Sequence, residues 1–265
     1  MTPSAPWPRD ATHDQLVGDW HLWQRRGGHR TSTDDLLTAG LAVSMWRQHR
    51  GAGGHDTPPA LYVDLGCGIG SVLLLVAHAL RPTLSVGVEA QAQSATMAAG
   101  SVAGLSAAPP IEVWHGDLRA VVGTSLPKVP LITGSPPYLP EGSGVLPADV
   151  QRRACRFELR GGVEAYCASA ASLLSPEGHF VLVFQTLWQE RVLRAAQRAG
   201  LAPRSVQHVW TRADRPAPFL SVFALQHADA APTQPSETRF AVRDDSGAWT
   251  EAYKEIRATL ALSTA

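Results

Sequence analysis

Cysteine is scarce in this chain, which has three, Cys67, Cys155 and Cys167. Their spacing neither pairs them around a metal nor reaches the density of a secreted disulfide scaffold, so no metal is assigned and a reducing cytoplasm is the expected setting. A surplus of charge of either sign is also missing, since 23 basic residues face 23 acidic ones. That balance excludes the global basic field that drives non-specific nucleic-acid binding, and any such partner must be held by a local patch. Long apolar runs are absent too. The longest, Val72 to Leu80, is interrupted by His78 and is far too short to span a bilayer. Met1 to Arg9 is proline-rich without the basic-then-apolar pattern of an export signal. A soluble, unprocessed protein with no membrane partner is expected; oligomeric state is left open.

What is present is an alternation of apolar runs and helical patterns, the rhythm of an α/β protein with a mostly parallel sheet covered on both faces. With 265 residues, 45% of them hydrophobic, one sizeable catalytic domain with decorations is expected. Ala60 to Leu65, Leu84 to Glu89, Ile111 to Trp114, Val129 to Thr133, Phe180 to Gln185, Ser205 to Trp210 and Phe219 to Gln226 read as strands. Ser71 to Leu80, Gln91 to Ala99, Val163 to Leu174 and Trp188 to Ala199 read as helices, with Gly200 as a C-cap signal. Pro176-Glu177-Gly178 reads as a turn. Three regions follow: an N-terminal lobe and lid over 1–55, a catalytic domain over 56–226, and a linker plus short extension over 227–265. In the lobe, Thr33-Asp34 opens a helix to about Gln48, and Gly51 to Pro59 is a loop. In the extension, a short extended piece near Phe240 to Arg243 precedes a helix from about Thr250 to Ala261. Trp114, Trp188 and Trp210 lie in or beside core elements and are expected to be buried, whereas Trp20 and Trp23 remain open.

Two short motifs about seventy residues apart carry the chemistry. In Val63-Asp64-Leu65-Gly66-Cys67-Gly68-Ile69-Gly70, a strand ends in an acid and glycines lead into a helix, which lets backbone approach a ligand at the carboxyl edge of the sheet. Glu89 closes a second strand about twenty-five residues later, where a carboxylate can accept both hydroxyls of a ribose. Asp117 follows the third strand, placed to meet an adenine amino group. Together these strand ends describe one nucleoside ligand. A dinucleotide is the rival, but it favours Gly-x-Gly-x-x-Gly, and an anion beside Asp64 would be repelled. A tight turn without a ligand is the plain structural alternative for the glycines, and a solvated strand end for Glu89.

Asp-Leu-Gly-Cys-Gly-Ile-Gly, Val-Glu-Ala-Gln and Gly-Asp-Leu resemble the S-adenosylmethionine-binding motifs of the class I methyltransferases. The second motif, Ser135-Pro136-Pro137-Tyr138, resembles that of their amino-methylating branch. The resemblance covers roughly Ala60 to Gln226 and implies a Rossmann-like, seven-stranded sheet whose last strand is antiparallel. It implies S-adenosylmethionine as cofactor, with Asp64 and the loop of Gly66, Cys67, Gly68 and Gly70 towards the methionine end. Glu89, with Ala90, would face the ribose, and Asp117, with Leu118, the adenine; the Cys67 side chain itself is read as packing.

An exocyclic amine conjugated to a ring is a poor nucleophile whose lone pair must be aimed. Ser135 and the Pro136 carbonyl can accept its two hydrogens, the Pro136-Pro137 step presets that carbonyl, and Tyr138 can stack on the ring. Such positioning supplies on the order of 7–11 kcal/mol of barrier reduction, more than a weak general base adds. Asn is the commoner family residue at position 135. Ser occurs there in enzymes acting on cytosine-N4, which leaves the ring open.

Three looser stretches, Gln24 to Leu37, Phe157 to Tyr166 and Val242 to Tyr253, resemble the bacterial tRNA1(Val) adenine-N6 methyltransferase family, with His29 standing where an aromatic is usual. By that resemblance Thr31 to Asp34 closes over the methionine, with Thr33 and Asp34 in the cofactor site. Read from the residues alone, it is a helix cap. Arg152, Arg156 and Arg160 recur every four residues; on one helical face they would contact phosphates, or form a solvated face. The expected activity is methyl transfer to a nucleobase amine, adenine-N6 in tRNA first, with RNA as partner. A protein glutamine amide, a small-molecule or DNA amine, and a silent cofactor-binding subunit are the alternatives.

Overall fold

A computed structural model of the chain describes residues 6–49, 57–123, 126–140, 142–232 and 234–264. In chain order its elements are β1 (Ala11–Val17), β2 (Trp20–Arg25), α1 (Thr33–His49), β3 (Leu61–Leu65), α2 (Ser71–Leu80), β4 (Leu84–Glu89), α3 (Ala92–Ala103), β5 (Ile111–His115) and β6 (Val129–Gly134). These are followed by α4 (Val150–Arg156), α5 (Val163–Leu173), β7 (Leu174–Gln185), α6 (Gln189–Arg198), β8 (Leu201–Arg212), β9 (Leu220–His227), β10 (Ser236–Arg243) and α7 (Glu251–Thr259). Most of the expected loop from Gly51 to Pro59 lies outside the described residues.

Strands buried on both faces need apolar side chains at every position, and β3, Leu-Tyr-Val-Asp-Leu, is buried throughout. Alternate residues serve opposite layers. Tyr62, Leu131, Val181 and Val183 join a core under α1 and α2, while Val63, Leu65, Ile132, Phe180 and Phe184 join one under α5 and α6. Asp64 and Thr133 keep step with Tyr62 and Leu131, so they point towards the α1 side. Helix α2 is almost wholly apolar and almost wholly buried, as its position between the sheet and the N-terminal elements requires.

The strand order is β10-β8-β9-β7-β6-β3-β4-β5. β9 runs antiparallel to both neighbours and the other pairings are parallel. From β3 the chain builds outward through β4 to β5, then returns to place β6 on the other side of β3. That reversal opens a crevice at the carboxyl ends of β3 and β6, the usual ligand position in such sheets.

The expected seven strands are present as β3 to β9, with the last one antiparallel. One more is added, because Ser236–Arg243 pairs in parallel with β8 and buries Phe240 and Val242. Part of the expected linker is therefore sheet. Pro176-Glu177-Gly178 does not form a separate turn before β7. It falls within the strand, where pairing with β6 slips between Leu174 and His179. Gly200 takes the left-handed conformation just after α6, at φ 75°, and its N–H donates to the Gln197 carbonyl, as a C-terminal cap does.

The hairpin of β1 and β2 had no counterpart among the sequence-based expectations. It turns at Gly18, φ 55°, and seats Val17, Trp20 and Leu22 in the core. Trp20 is thus buried and Trp23 half-buried, whereas Trp188, expected inside, is 38% exposed. Trp114 and Trp210 are half-buried.

Helix α7 packs against α1, with Ile256 close to Gly40. Thr250 caps it by accepting the Tyr253 N–H at 3.2 Å, and Tyr253 is 4% exposed between Phe240 and Trp249. If this extension is part of the cooperative fold, Tyr253→Ala lowers the unfolding free energy by about 3 kcal/mol in urea titration. An unchanged midpoint would show the extension to unfold on its own.

Candidate active site

The crevice is a cleft of about 560 Å³. Its floor is the glycine loop after β3. Gly66 and Gly68 adopt φ 66° and 57°, a region that favours glycine. A Cβ on Gly66 would collide with the Tyr166 hydroxyl, whereas one on Gly68 would meet nothing within 4 Å. Gly66 thus makes room for Tyr166, and Gly68 leaves open a face of the cleft. Gly70, φ 94°, stands at the start of α2 against Ala98 and does not line the cleft.

Three acids close the strand ends. Asp64 is 2% exposed; its Oδ1 accepts the Thr133 hydroxyl at 2.7 Å, and Thr133 lies 2.6 Å from the Tyr62 hydroxyl. Its Oδ2 is buried in the cleft wall with no hydrogen-bond partner among the described residues. Burial above all, with Asp35 and Glu89 nearby, pushes the Asp64 carboxyl up to about 7 against the pull of Thr133. Glu89 accepts the Gly68 N–H at 2.9 Å and the Gln91 N–H at 2.6 Å; burial raises its pKa and these amides restrain the rise. One side chain therefore fixes both the glycine loop and the turn after β4. Asp117 is held differently. Arg119 binds both its oxygens, at 2.8 and 2.5 Å, and that pairing lowers its pKa.

The opposite wall comes from the loop after β6. The Ser135 Oγ is buried in it and has no hydrogen-bond partner among the described residues. Pro136, Pro137 and Tyr138 continue the wall. The Tyr138 hydroxyl donates to Asp34 Oδ2 at 2.9 Å and its ring meets Phe184 edge-on. This joins the amine motif to the first turn of α1.

Segment 28–35 runs along the cleft. Gly28, His29, Arg30, Ser32, Asp34 and Asp35 line it, and Thr33, expected among them, does not. The segment is fastened at several points. Thr31 Oγ1 lies 2.9 Å from Ser71 Oγ, Gln24 accepts the Thr31 N–H, and Asp35, whose pKa burial raises, accepts the Ser32 N–H. Gln151, 1% exposed on α4, accepts the His29 N–H and donates to Ser94. Sequence reasoning gave no site role to Tyr166, Arg30 or Gln91, although they fall in motif stretches, and did not single out Gln151; a polar residue inside an otherwise unremarkable helix gives no signal until its neighbours are known.

Arg152 and Arg156 lie one turn apart on α4, but the helix ends there and Arg160 sits past an extended Phe157. The three do not share a helical face. All are nonetheless exposed, line the cleft and have no ion pair among the described residues. Ala90, Leu118, Cys67 and Cys155 also line it. Among the described residues no group of three His, Cys, Asp or Glu is placed to hold a metal ion, and no helix is long and apolar enough to cross a membrane.

The strand order and the position of the cleft can be set beside known proteins. A predicted O-methyltransferase of Agrobacterium tumefaciens superposes with a TM-score of 0.60 at 19% identity, covering 87% of this chain and 98% of that one. A second protein of that organism, a SAM-dependent methyltransferase, gives 0.52 at 15% identity, covering 84% and 72%. This is the class I methyltransferase fold. In sequence, the chain is similar to the tRNA1(Val) (adenine(37)-N6)-methyltransferases of an Enterobacter species and of Citrobacter koseri. The first is 30% identical over 122 residues, 46% of this chain and 49% of the relative; the second is 30% identical over 147 residues, 55% and 56%. The chain thus spans about half the length of the curated relatives it matches. No family model matches it.

The raised pKa of Asp64 has a stability consequence. Its folded value lies above the unfolded 3.8, so its contribution is intact at low pH and is lost as pH rises through about 7. Asp64→Asn removes that loss. Without ligand, the thermal midpoint of the Asn variant should hold up better than wild type as pH rises from about 4 to 7; parallel pH profiles over that window would show that Asp64 does not titrate there.

Proposed function

We propose that this chain is an S-adenosylmethionine-dependent N-methyltransferase acting on the exocyclic amine of a nucleobase, adenine-N6 in tRNA, within the cytoplasm. The observation that carries the reading is the pair of buried, unpartnered oxygens, Asp64 Oδ2 and Ser135 Oγ, facing one cleft from the ends of adjacent strands. A buried oxygen without a partner is costly unless a ligand completes it. An acceptor-only carboxylate suits an ammonium group, and a hydroxyl suits an amine hydrogen. The similarity to the tRNA1(Val) enzymes supports adenine in tRNA among the possible amines.

S-adenosylmethionine supplies, when bound, an electrophilic methyl group on a sulfonium. Asp64 would accept from its ammonium group. The open face at Gly68, the acid of Glu89 and the Asp117-Leu118 turn would hold the nucleoside end, with Cys67 and Ala90 contributing backbone wall. Glu89 needs no large movement, but Asp117 must share its oxygens between Arg119 and an adenine. Gly70 serves the loop by shaping the start of α2, and Thr33 by starting α1, neither of them through contact. The lid of 28–35 would cover the amino-acid end.

Ser135 Oγ and the Pro136 carbonyl would accept the two amine hydrogens and turn the nitrogen lone pair towards the methyl group. With the methyl group accepted from the sulfonium, the two acceptors would keep the methylated nitrogen in place while it gives up one proton to solvent. Pro137 stiffens the loop. Tyr138 packs against the ring while its hydroxyl stays tied to Asp34. Arg152, Arg156 and Arg160 would meet phosphates at the cleft mouth.

The test is label transfer from radioactive S-adenosylmethionine to unmodified tRNA, DNA, protein extract and metabolites, followed by nucleoside digestion and mass analysis. N6-methyladenosine from tRNA is the expected product. N4-methylcytidine would correct the ring, and methylglutamine would move the acceptor to protein. Ser135→Ala should lower kcat by about 10- to 100-fold, the loss expected of one buried hydrogen bond made in the reacting complex, with little change in cofactor affinity. A rise in KM alone would make Ser135 a binding group only.

A further inference from the structure

Phe219 is the most unusual apolar residue near the cleft. It is 53% exposed, yet its backbone is pinned on both sides: its N–H donates to Val209 at 2.8 Å and its carbonyl accepts from Thr186 at 3.1 Å. The chain before it, Arg215-Pro216-Ala217-Pro218, contains two prolines with preset φ. A large ring held out to water on a stiff loop has a hydrophobic cost with no packing return in the protein alone.

Its position gives it a use. The loop joins β8 to β9 on the carboxyl edge of the sheet, because Leu220 stands opposite Gln185, the last residue of β7. Phe219 lines the outer wall of the cleft and also a second cavity, of about 310 Å³, formed by 211 and 215–219. The cleft and this open depression are therefore both bordered by Phe219. Beyond it, Arg215 is exposed and has no carboxylate partner among the described residues. Asp214 is close in sequence but is paired with Arg212 at 3.2 Å.

We infer that Phe219 separates two nucleotide subsites: the cleft receives the base to be methylated, and the second cavity receives the base next to it in a single strand, stacked on Phe219, with Arg215 against the phosphate. This rests on the nucleobase reading of the cleft. An aromatic face with an adjoining free guanidinium matches the two parts of a nucleotide, flat ring and phosphate. Arg152, Arg156 and Arg160, exposed residues that also line the cleft, would offer further phosphate contacts to the same strand. A ring between target and neighbour would also keep the two bases unstacked while the target is modified.

The test is fluorescence anisotropy of the full chain, saturated with S-adenosylhomocysteine, on labelled single-stranded heptaribonucleotides with one central adenosine. Companion strands carry an abasic ribose immediately 5′ or 3′ of it. For wild type, removing the base on one side weakens binding about 10-fold, within the range of one stacking contact. Phe219→Ala weakens the intact strand by a similar factor and no longer distinguishes it from that abasic strand, while Phe219→Trp retains the discrimination. Arg215→Ala weakens all strands and reduces the salt slope by about one. An abasic penalty equally large in wild type and Phe219→Ala overturns the inference while leaving the nucleobase reading intact. Failure of wild type to bind any strand, with cofactor binding normal, overturns both. Should Phe219→Ala misfold, the abasic series in Phe219→Trp and the Arg215→Ala salt slope decide.

Discussion

A carboxylate buried at the end of β3 with one oxygen unpartnered is the constraint around which the site is organised. Asp64 sits between strands on both sides, so water cannot solvate it freely, and its Oδ1 is held by the hydroxyl of Thr133 on the neighbouring strand. Tyr62, two residues earlier on the same face, orients that threonine. Asp35 and Glu89 add negative charge nearby. A cluster of buried acids of this kind is unfavourable in the empty protein and favours a cationic ligand over an anionic one. That preference separates a sulfonium cofactor from a dinucleotide more sharply than the glycine spacing does.

The wall formed by Ser135 to Tyr138 is not independent of the wall formed by the glycine loop. Tyr138 reaches Asp34 on α1, and Gln151 links the lid at His29 to α3 at Ser94. Arg25 at the end of the hairpin pairs with Asp10 and with Asp149, the residue that caps α4. Glu158 and Glu164 both hold Arg191 on α6, which anchors the chain beyond the amine loop. Each contact is modest because most are partly exposed. Together they place lid, arginine-bearing helix and amine loop on one connected support, so the two substrates would meet across a frame that is already assembled.

The parts of this arrangement that were legible in sequence are those set by local rules. Gly66 and Gly68 announce a turn that other residues resist, and Asp64, Glu89 and Asp117 fall at strand ends because apolar runs stop there. Ser135 to Tyr138 follows β6 for the same reason. The less legible parts depend on partners distant in sequence. The β1–β2 hairpin alternates apolar and polar residues but is rich in histidine and short acids, and its burial comes from α2 and α3. The first residues of β10, Ser236 to Thr238, read as linker because they are polar, and the extended piece near Phe240 to Arg243 becomes a longer strand once β8 offers an edge. The spacing of Arg152, Arg156 and Arg160 suggested a helical stripe, but the bridge between Leu139 and Phe157 pulls the chain straight after Arg156. All three still reach the cleft, by different backbone routes.

The most direct measurement is a crystal structure of the full chain with S-adenosylmethionine and adenosine. The account predicts the cofactor ammonium within hydrogen-bond distance of Asp64 Oδ2 and the adenine amine between Ser135 Oγ and the Pro136 carbonyl. A cofactor lying with its carboxylate or another anion at Asp64, or an amine bound away from Ser135, would contradict it.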